Sequence, residues 1–419
     1  MEISMPQSPA EASRPPARTF GERVERARTR AGLTRAVVGG LVNRSAEWVK
    51  AVEKGRIGMP RLPLLLRLAD VLGVDDLAEL TGDERLSKTT YAKQAHPALS
   101  AVKAALTDYH FGSADEEPES TSELRARVAE AWRMWHADGD HRTRVATVLP
   151  DLLADLQYAA RHYEGNDRRR VLVALAETYH IAQLYLSFQP ASELITLSGD
   201  RSMTAAQAAD DPYAIAGAAW YMNHVFRDAG ERHEARVDLA MRASDLLRRD
   251  RGAEDLARWG LLQLAAALSY AKVGKRGDAE RFWNRADRAA KQLGDAYSHP
   301  YLIFGRGMVD AYAITMESDL VSGGSAVEAA GNVDLSRAAM PSATRRAFHL
   351  AESARAYSME REPLAVVHLL KQAYTESAET LTYNLFARSA VAELSASSNR
   401  LVRGEAEYLR QKMHLPATA

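Results

Sequence analysis

The sequence predicts an all-α protein in which a small five-helix helix-turn-helix domain precedes a long array of helical hairpins. Alanine, leucine, arginine and glutamate, which favour helices, are abundant in the 419 residues, and proline occurs only 15 times. Apolar residues recur at intervals of three and four positions, as they do on one face of an amphipathic helix. In the second half of the chain, similar segments recur about every 40 residues. A chain of this length, with 46% hydrophobic residues, is large enough for two or three domains.

The N-terminal segment differs in composition from the rest of the chain. Residues 1–17 are rich in proline and serine and lack the apolar stretch of a signal peptide, so we expect a disordered arm. Residues 18–82 follow as the predicted helix-turn-helix domain. Phe20, Val24 and Ala27 mark its first helix, and residues 61–82 supply its last two helices.

The most informative segment is residues 33–55, LTRAVVGGLVNRSAEWVKAVEKG. It predicts two short helices separated by a polar turn, with Ser45 as the N-cap of the second helix and Gly55 just past its end. Two helices at this spacing form the helix-turn-helix motif, whose second helix enters the DNA major groove. We expect the inner face of the first helix to carry Leu33, Val37, Val38, Leu41 and Val42.

Charge is distributed unevenly along the chain. Residues 18–67 contain twelve Arg and Lys against four Glu, a surplus of eight positive charges, whereas the whole chain has a net charge of −1. The remainder therefore carries about −9. A small basic domain on a larger acidic chain is typical of proteins that bind nucleic acid through one domain.

This segment resembles the Xre family of transcription regulators, which are related to phage repressors. Leu33, Thr34, Val38, Ser45, Val49, Val52, Glu53 and Gly55 fall on positions of the family pattern. Arg35 departs from it, because a glutamine that commonly reaches DNA is usual there. Gly39 and Gly40 also depart, and each is expected to weaken the helix by up to about 1 kcal/mol.

The second helix of the motif and its flanks supply the candidate DNA contacts. We expect Glu47 to accept a hydrogen bond from a cytosine amino group, and Ala46 or Ala51 to touch a thymine methyl group. Trp48 has two equally good interpretations, a groove contact or packing on the domain core. The candidate DNA-binding residues are Arg35, Arg44, Ser45, Ala46, Glu47, Trp48, Lys50, Ala51, Lys54 and Arg56, of which the basic ones suit phosphates.

Beyond the basic domain, a polar and acidic segment at residues 83–121 predicts a linker, and residues 122–415 predict helical hairpins. Residues 216–247 align with residues 263–290 at a constant offset of 44, with an aromatic residue, a glycine and a small residue at matching positions. The pattern resembles the tetratricopeptide repeat (TPR), with longer helices. Such hairpins stack into an α-solenoid with a concave surface. An ordinary α-helical domain is the alternative.

A phage-repressor-like domain joined to a TPR-like array resembles a common architecture of actinobacterial regulators. The resemblance implies a sensing and dimerising array, although residues 304–312 depart from the relatives' pattern. The candidate ligand-binding residues, chosen for polar or aromatic character on first helices of hairpins, equally fit inter-helix packing. They are His180, Tyr221, His224, Arg306 and Asp310.

Several classes of protein lack support in the sequence. There is no cysteine, which excludes disulfides and thiolate chemistry. The histidines show no metal-ligand spacing, and phosphate-binding loops and hydrolase motifs do not occur. No stretch is long and apolar enough for a membrane span. We therefore expect no enzyme, cofactor, metal or membrane partner, and a cytoplasmic, nucleoid-associated protein.

Two functions remain. The leading one is a DNA-binding transcription regulator that acts as a homodimer on an inverted-repeat, double-stranded operator and senses a peptide or small molecule through its TPR-like array. The alternative is an interaction scaffold or sequestering protein whose helix-turn-helix domain no longer binds DNA. Arg35 and the Gly39–Gly40 pair favour the alternative, whereas the positive surplus argues against it.

Overall fold

The structure is a computed structural model that describes residues 19–74, 77–82, 93–108, 117–137, 139–228, 233–336 and 338–415. This part of the chain contains 22 α-helices and no β-strand, which confirms the predicted all-α class. None of the helices described is both long and apolar enough to cross a bilayer. The chain divides into two compact units, residues 1–92 with 415–419 and residues 93–414. We call the described residues 19–82 of the first unit the head, and the second unit the body.

The head contains five helices around one apolar core. The first begins at a capping box, in which Thr19 and Glu22 each accept a hydrogen bond from the other's backbone N–H. Buried valines and leucines from all the helices meet in the core, among them Val24, Val49 and Leu68. The helices are α1 (Phe20–Arg30), α2 (Arg35–Leu41), α3 (Ala46–Glu53), α4 (Leu62–Val71) and α5 (Leu77–Thr81).

The expected inner face of α2 is partly wrong. Val38 and Val42 are buried, but Val37 and Leu41 are 45% and 57% exposed. Successive residues of a helix point about 100° apart. A helix of only seven residues presents one narrow stripe to its neighbours, and Val38 and Val42 occupy that stripe. In the sequence, Val37 and Leu41 form an apolar stripe next to that of Val38 and Val42. Only the tertiary packing determines which of the two stripes is buried.

Two predicted segments lie partly or wholly outside the described residues. The predicted arm, residues 1–17, lies outside them, as do residues 83–92 and 109–116 of the predicted linker. The described part of the linker segment contains helix α6 (Leu99–Thr107). Its Val102 and Leu106 are buried in the main apolar core of the body.

The body is built from pairs of consecutive helices that pack against each other. The most extensive contacts join α14 to α15, α10 to α11 and α18 to α19. The remaining helices are α7 (Thr121–Ala137), α8 (His141–Ala146), α9 (Leu149–His162), α10 (Gly165–Leu186), α11 (Ser192–Ala208), α12 (Pro212–Asp228), α13 (His233–Ser244), α14 (Ala253–Ala271), α15 (Arg276–Leu293), α16 (Arg306–Asp319), α17 (Gly323–Asn332), α18 (Ala343–Met359), α19 (Pro363–Glu376), α20 (Ala378–Tyr383), α21 (Leu385–Leu394) and α22 (Arg400–Lys412).

The first helices of successive pairs form a row inside the body. In this row α10 packs on α12, α12 on α14, α14 on α16 and α16 on α18. The two segments that align in sequence form the pairs α12–α13 and α14–α15. The turn of the second pair contains Gly274, whose φ of 74° lies in the left-handed region that glycine adopts without strain.

The row of helices closes on itself within the body, because α7 packs against both α10 and α18. The imidazole of His136, on α7, is hydrogen-bonded at both nitrogens. Its Nδ1 lies 2.8 Å from Ser342 Oγ, and its Nε2 lies 3.0 Å from the Tyr301 carbonyl oxygen. Glu379 of α20 accepts a hydrogen bond from the backbone N–H of Arg142 at 2.6 Å. These contacts hold the first and last parts of the body together.

Candidate nucleic-acid interface and ligand-binding residues

The turn between α2 and α3 depends on a few local features. Asn43 has a φ of 57°, which asparagine tolerates better than most residues. Ser45 Oγ accepts a hydrogen bond from Trp48 N at 3.1 Å and so caps α3, as the sequence predicts. A Cβ on Gly39 would lie 2.8 Å from the Arg44 carbonyl oxygen, whereas one on Gly40 would meet open space. Gly39 therefore permits the close approach of the two helices.

A buried carboxylate, Glu53, ties α3 to α1 and α2. Its Oε1 accepts from Arg28 Nε at 2.5 Å and its Oε2 from Arg35 Nε at 2.6 Å, and its side chain is fully buried. Arg35 also lies 3.0 Å from Glu25. Hydrogen bonding to Glu53, and the charges of Glu53 and Glu25, raise the pKa of Arg35 above its usual value. Arg35 thus holds α2 against α3, and about a third of its side chain remains exposed.

The outer face of α3 carries the candidate base contacts. The Glu47 side chain is 78% exposed, and its Oε1 lies 3.8 Å from Lys50 Nζ one turn along the helix. Ala51 is half-buried between this face and the core. Lys54, at the C-cap, lies 3.4 Å from Glu25 and is more than half exposed. Val49 and Val52 turn the opposite face of α3 into the core.

The other candidates lie at the rim of this face. Trp48 is half-buried and packs against the head core, so the packing interpretation describes part of its surface. Arg44 is exposed and donates a hydrogen bond to the Asn43 carbonyl oxygen at 2.8 Å. Arg56 is exposed and Ala46 is half-buried. The predicted residues therefore lie on α3, at its two ends or at the start of α2, and each is exposed or half-buried.

Comparison with known proteins agrees with this geometry. A family described as "Helix-turn-helix domain" matches residues 19–80, which include α1 to α4 and most of α5. The head is therefore a helix-turn-helix domain. No curated protein matches the chain.

In the body, three of the predicted ligand-binding residues lie together. Tyr221 and His224 line a cavity of about 140 Å³. His180 stacks on Tyr221 with ring centroids 4.5 Å apart, and its two buried ring nitrogens have no hydrogen-bond partner in the described part of the chain. Burial, with a smaller effect from the charge of Arg258, lowers the pKa of His180 to about 3. His180 is therefore neutral near pH 7.

Arg306 and Asp310 lie elsewhere in the body. They pair with each other one turn apart on α16, at 2.9 Å, and are not among the described residues that line the cavity. Sequence reasoning missed several polar lining residues, among them Arg142, Gln183 and Arg345. Their spacing does not distinguish them from other polar residues on helices. Only the closure of the body brings them to one cavity.

Proposed function

We propose that the protein is a sequence-specific DNA-binding transcription regulator without enzymatic activity. The observation that carries this proposal is the exposed outer face of α3, in a head that matches the helix-turn-helix family. Residues 18–67 carry a surplus of eight positive charges, twelve Arg and Lys less four Glu. This surplus favours approach to the phosphate backbone. In the proposed complex α3 lies in the major groove.

Within this complex, different residues position the head and recognise sequence. Phosphate contacts set the register of the head without distinguishing bases. Glu47 accepts from a cytosine amino group, and Ala46 and Ala51 lie near thymine methyl groups. The Lys50 ammonium group lies 3.8 Å from the Glu47 carboxylate, one turn further along the same helix. The proposed phosphate contacts are Arg35, Arg44, Lys50, Lys54 and Arg56.

A gel-shift titration in salt, on DNA upstream of the protein's own gene, tests the DNA contacts. Lys50→Ala or Arg44→Ala is expected to weaken binding to all sequences and to reduce the slope of log K against log salt by about 0.9 each. Glu47→Ala is expected to change which base is preferred. Lys371→Ala, an exposed lysine of the body, serves as the matched control and leaves both quantities unchanged. Equal effects of the three head variants on specific and random DNA contradict the assignment.

We further propose that the body supplies a homodimer contact, so that two heads bind an inverted repeat. Two basic heads repel each other, and a single head contacts too little DNA for tight binding. A chain truncated after residue 90 is expected to be monomeric in light scattering and to bind DNA weakly, whereas the full chain is dimeric. A dimeric truncated head contradicts this proposal.

The third part of the proposal is that the body senses a peptide or small-molecule effector. The cavity lined by Tyr221 and His224 supports it. An effector changes operator affinity only if it binds one arrangement of the body more tightly than another. Thermal-shift screening of cell extract, followed by gel shift with each hit, tests this step. Alanine at Tyr221 or His224, which line the cavity, is expected to abolish the response to the effector. Alanine at Arg306 or Asp310, which do not line it, is expected to leave the response unchanged if the effector binds in the cavity.

A second candidate is an interaction scaffold or sequestering protein with a non-binding head. The observation that favours it is Arg35, whose guanidinium already pairs with Glu53 and Glu25 inside the head. Under this alternative the full chain binds its own upstream DNA no more tightly than random DNA at any salt concentration. The same gel shift therefore decides between the two functions.

A further inference from the structure

Two arginines line the body cavity, and neither forms a salt bridge in the described part of the chain. Arg345 of α18 donates a hydrogen bond from Nη1 to the Tyr312 hydroxyl at 3.0 Å. Tyr221, on the same cavity wall, is also close to Arg345, and burial raises its pKa above the usual range. The Tyr221 phenol is therefore neutral near pH 7, and it does not balance the positive charge of Arg345.

Arg142 of α8 is the second charge. It is 4% exposed and donates from Nη1 to the carbonyl oxygens of Leu184, at 3.0 Å, and Tyr185. Its Nε has no partner in the described part of the chain. Burial lowers its pKa to about 10, so it remains protonated near pH 7. The carboxylate of Glu379 accepts from the backbone N–H of Arg142, not from its guanidinium.

Apart from these arginines, most of the cavity surface is apolar, and Gln183 adds an unused polar side chain. Gln183 is 3% exposed, and both its amide atoms lack partners in the described part of the chain. Ile195, Val225 and Phe348 supply apolar surface. The volume of about 140 Å³ is close to that of an engineered apolar cavity of about 150 Å³ that binds benzene. A peptide of several residues exceeds this volume.

We propose that the cavity binds a small monocarboxylate whose apolar part is about the size of one aromatic ring. Its carboxylate pairs with Arg345 and Arg142, and the Gln183 amide completes its hydrogen bonds. The apolar part lies against Val225 and Phe348. This inference names the ligand class of the sensing role in the proposed function, and it rests on that function only for its effect on DNA binding.

The position of the cavity explains how such a ligand acts on the body. Trp135 of α7, Tyr221 of α12, Tyr312 of α16 and Arg345 of α18 all line it. These helices come from the beginning, middle and end of the body. A carboxylate between Arg142 and Arg345 therefore adds a contact across the place where the body closes, and favours the closed arrangement.

Isothermal titration of the full chain with benzoate tests the proposal, with benzamide as a neutral molecule of the same shape. We expect a benzoate Kd of about 1 mM or lower, binding of benzamide at least tenfold weaker, and no binding of inorganic phosphate. Benzoate at ten times its Kd is expected to raise the Tm by about 2–4 °C. Absence of benzoate binding at 10 mM, or equal binding of benzamide, overturns the proposal.

Variants locate the site. Arg345→Gln is expected to weaken benzoate binding at least tenfold, and Arg345→Lys to retain part of it. Arg242→Gln, on α13 with a 73% exposed side chain, is the matched control and leaves binding unchanged. Val225→Phe fills the cavity without changing a charge and is expected to abolish binding. Circular dichroism verifies the fold of each variant. Benzoate binding unchanged in folded Arg345→Gln or Val225→Phe places the ligand elsewhere and overturns the proposal.

A gel shift with and without benzoate distinguishes this inference from the proposed function. Benzoate binding by a protein that does not bind DNA refutes the regulator and leaves the carboxylate site intact. DNA binding by a protein that does not bind benzoate refutes the site and leaves the regulator intact. Binding of both, with operator affinity changed by benzoate in the wild type and not in Arg345→Gln, supports the two together.

Discussion

Replacing Glu53 by glutamine tests how the head holds its recognition helix. The side chain of Glu53 is fully buried between Arg28 and Arg35, with oxygen–nitrogen distances of 2.5 and 2.6 Å. Glutamine has nearly the same shape but no charge, so the substitution leaves both guanidinium groups without this counter-charge. The Arg28 side chain is only 14% exposed, so water compensates poorly for the loss of the Glu53 charge.

Breaking a buried ion pair by removing one partner costs about 3–5 kcal/mol of unfolding free energy. We expect the lower end, about 3 kcal/mol, because Arg35 is 35% exposed and keeps Glu25 as a partner. Glu47→Gln is the matched control, since it makes the same chemical change on the same helix. The Glu47 side chain is 78% exposed, and we expect a loss below about 1 kcal/mol there.

Urea denaturation of the full chain, labelled with 5-fluorotryptophan, measures both effects. Trp48 is the only tryptophan of the head, so its fluorine resonance, assigned with Trp48→Phe, reports head unfolding separately from the body. For a domain this small, an m value of about 1 kcal/mol per M converts the expected loss to a fall of about 3 M in the midpoint. Equal midpoints for Glu53→Gln and Glu47→Gln refute the structural role of Glu53.

Two further predictions concern packing and acid sensitivity. Gly39→Ala is expected to destabilise the head by about 1–3 kcal/mol, because its Cβ meets the Arg44 carbonyl oxygen at 2.8 Å. A Cβ on Gly40 meets open space, so Gly40→Ala is expected to stabilise the head by up to about 1 kcal/mol. The Trp48 fluorine resonance in urea measures both variants, and a Gly39→Ala head more stable than the Gly40→Ala head contradicts the prediction. Burial lowers the pKa values of His136, His180 and His349 to about 3. Below pH 6.5 the unfolded chain therefore binds protons that the folded body does not, and each histidine costs the body about 1 kcal/mol between pH 7 and 5.5. Urea midpoints of the body that are equal at the two pH values refute this.

The helix-turn-helix could be predicted from the sequence because its determinants are local. Ser45 caps α3 through a hydrogen bond to a residue three positions away, and Gly55 follows the helix with a φ of 70°. The period of the apolar residues predicts helices throughout, because every helix must turn one face to a neighbour. The surplus of Arg and Lys in residues 18–67 identifies the basic domain without any knowledge of its shape.

The tertiary structure decided what depends on contacts between distant residues. Helical periodicity does not say that Val38 faces the core and Val37 the solvent, or that Arg35 pairs with Glu53 eighteen positions away. The body cavity combines residues from Trp135 to Thr380. In the sequence, nothing distinguishes Arg345, which lines this cavity, from the other arginines on helices. It becomes a half-buried charge without a salt-bridge partner in the described part of the chain only because α7 packs on α18 and closes the body around it.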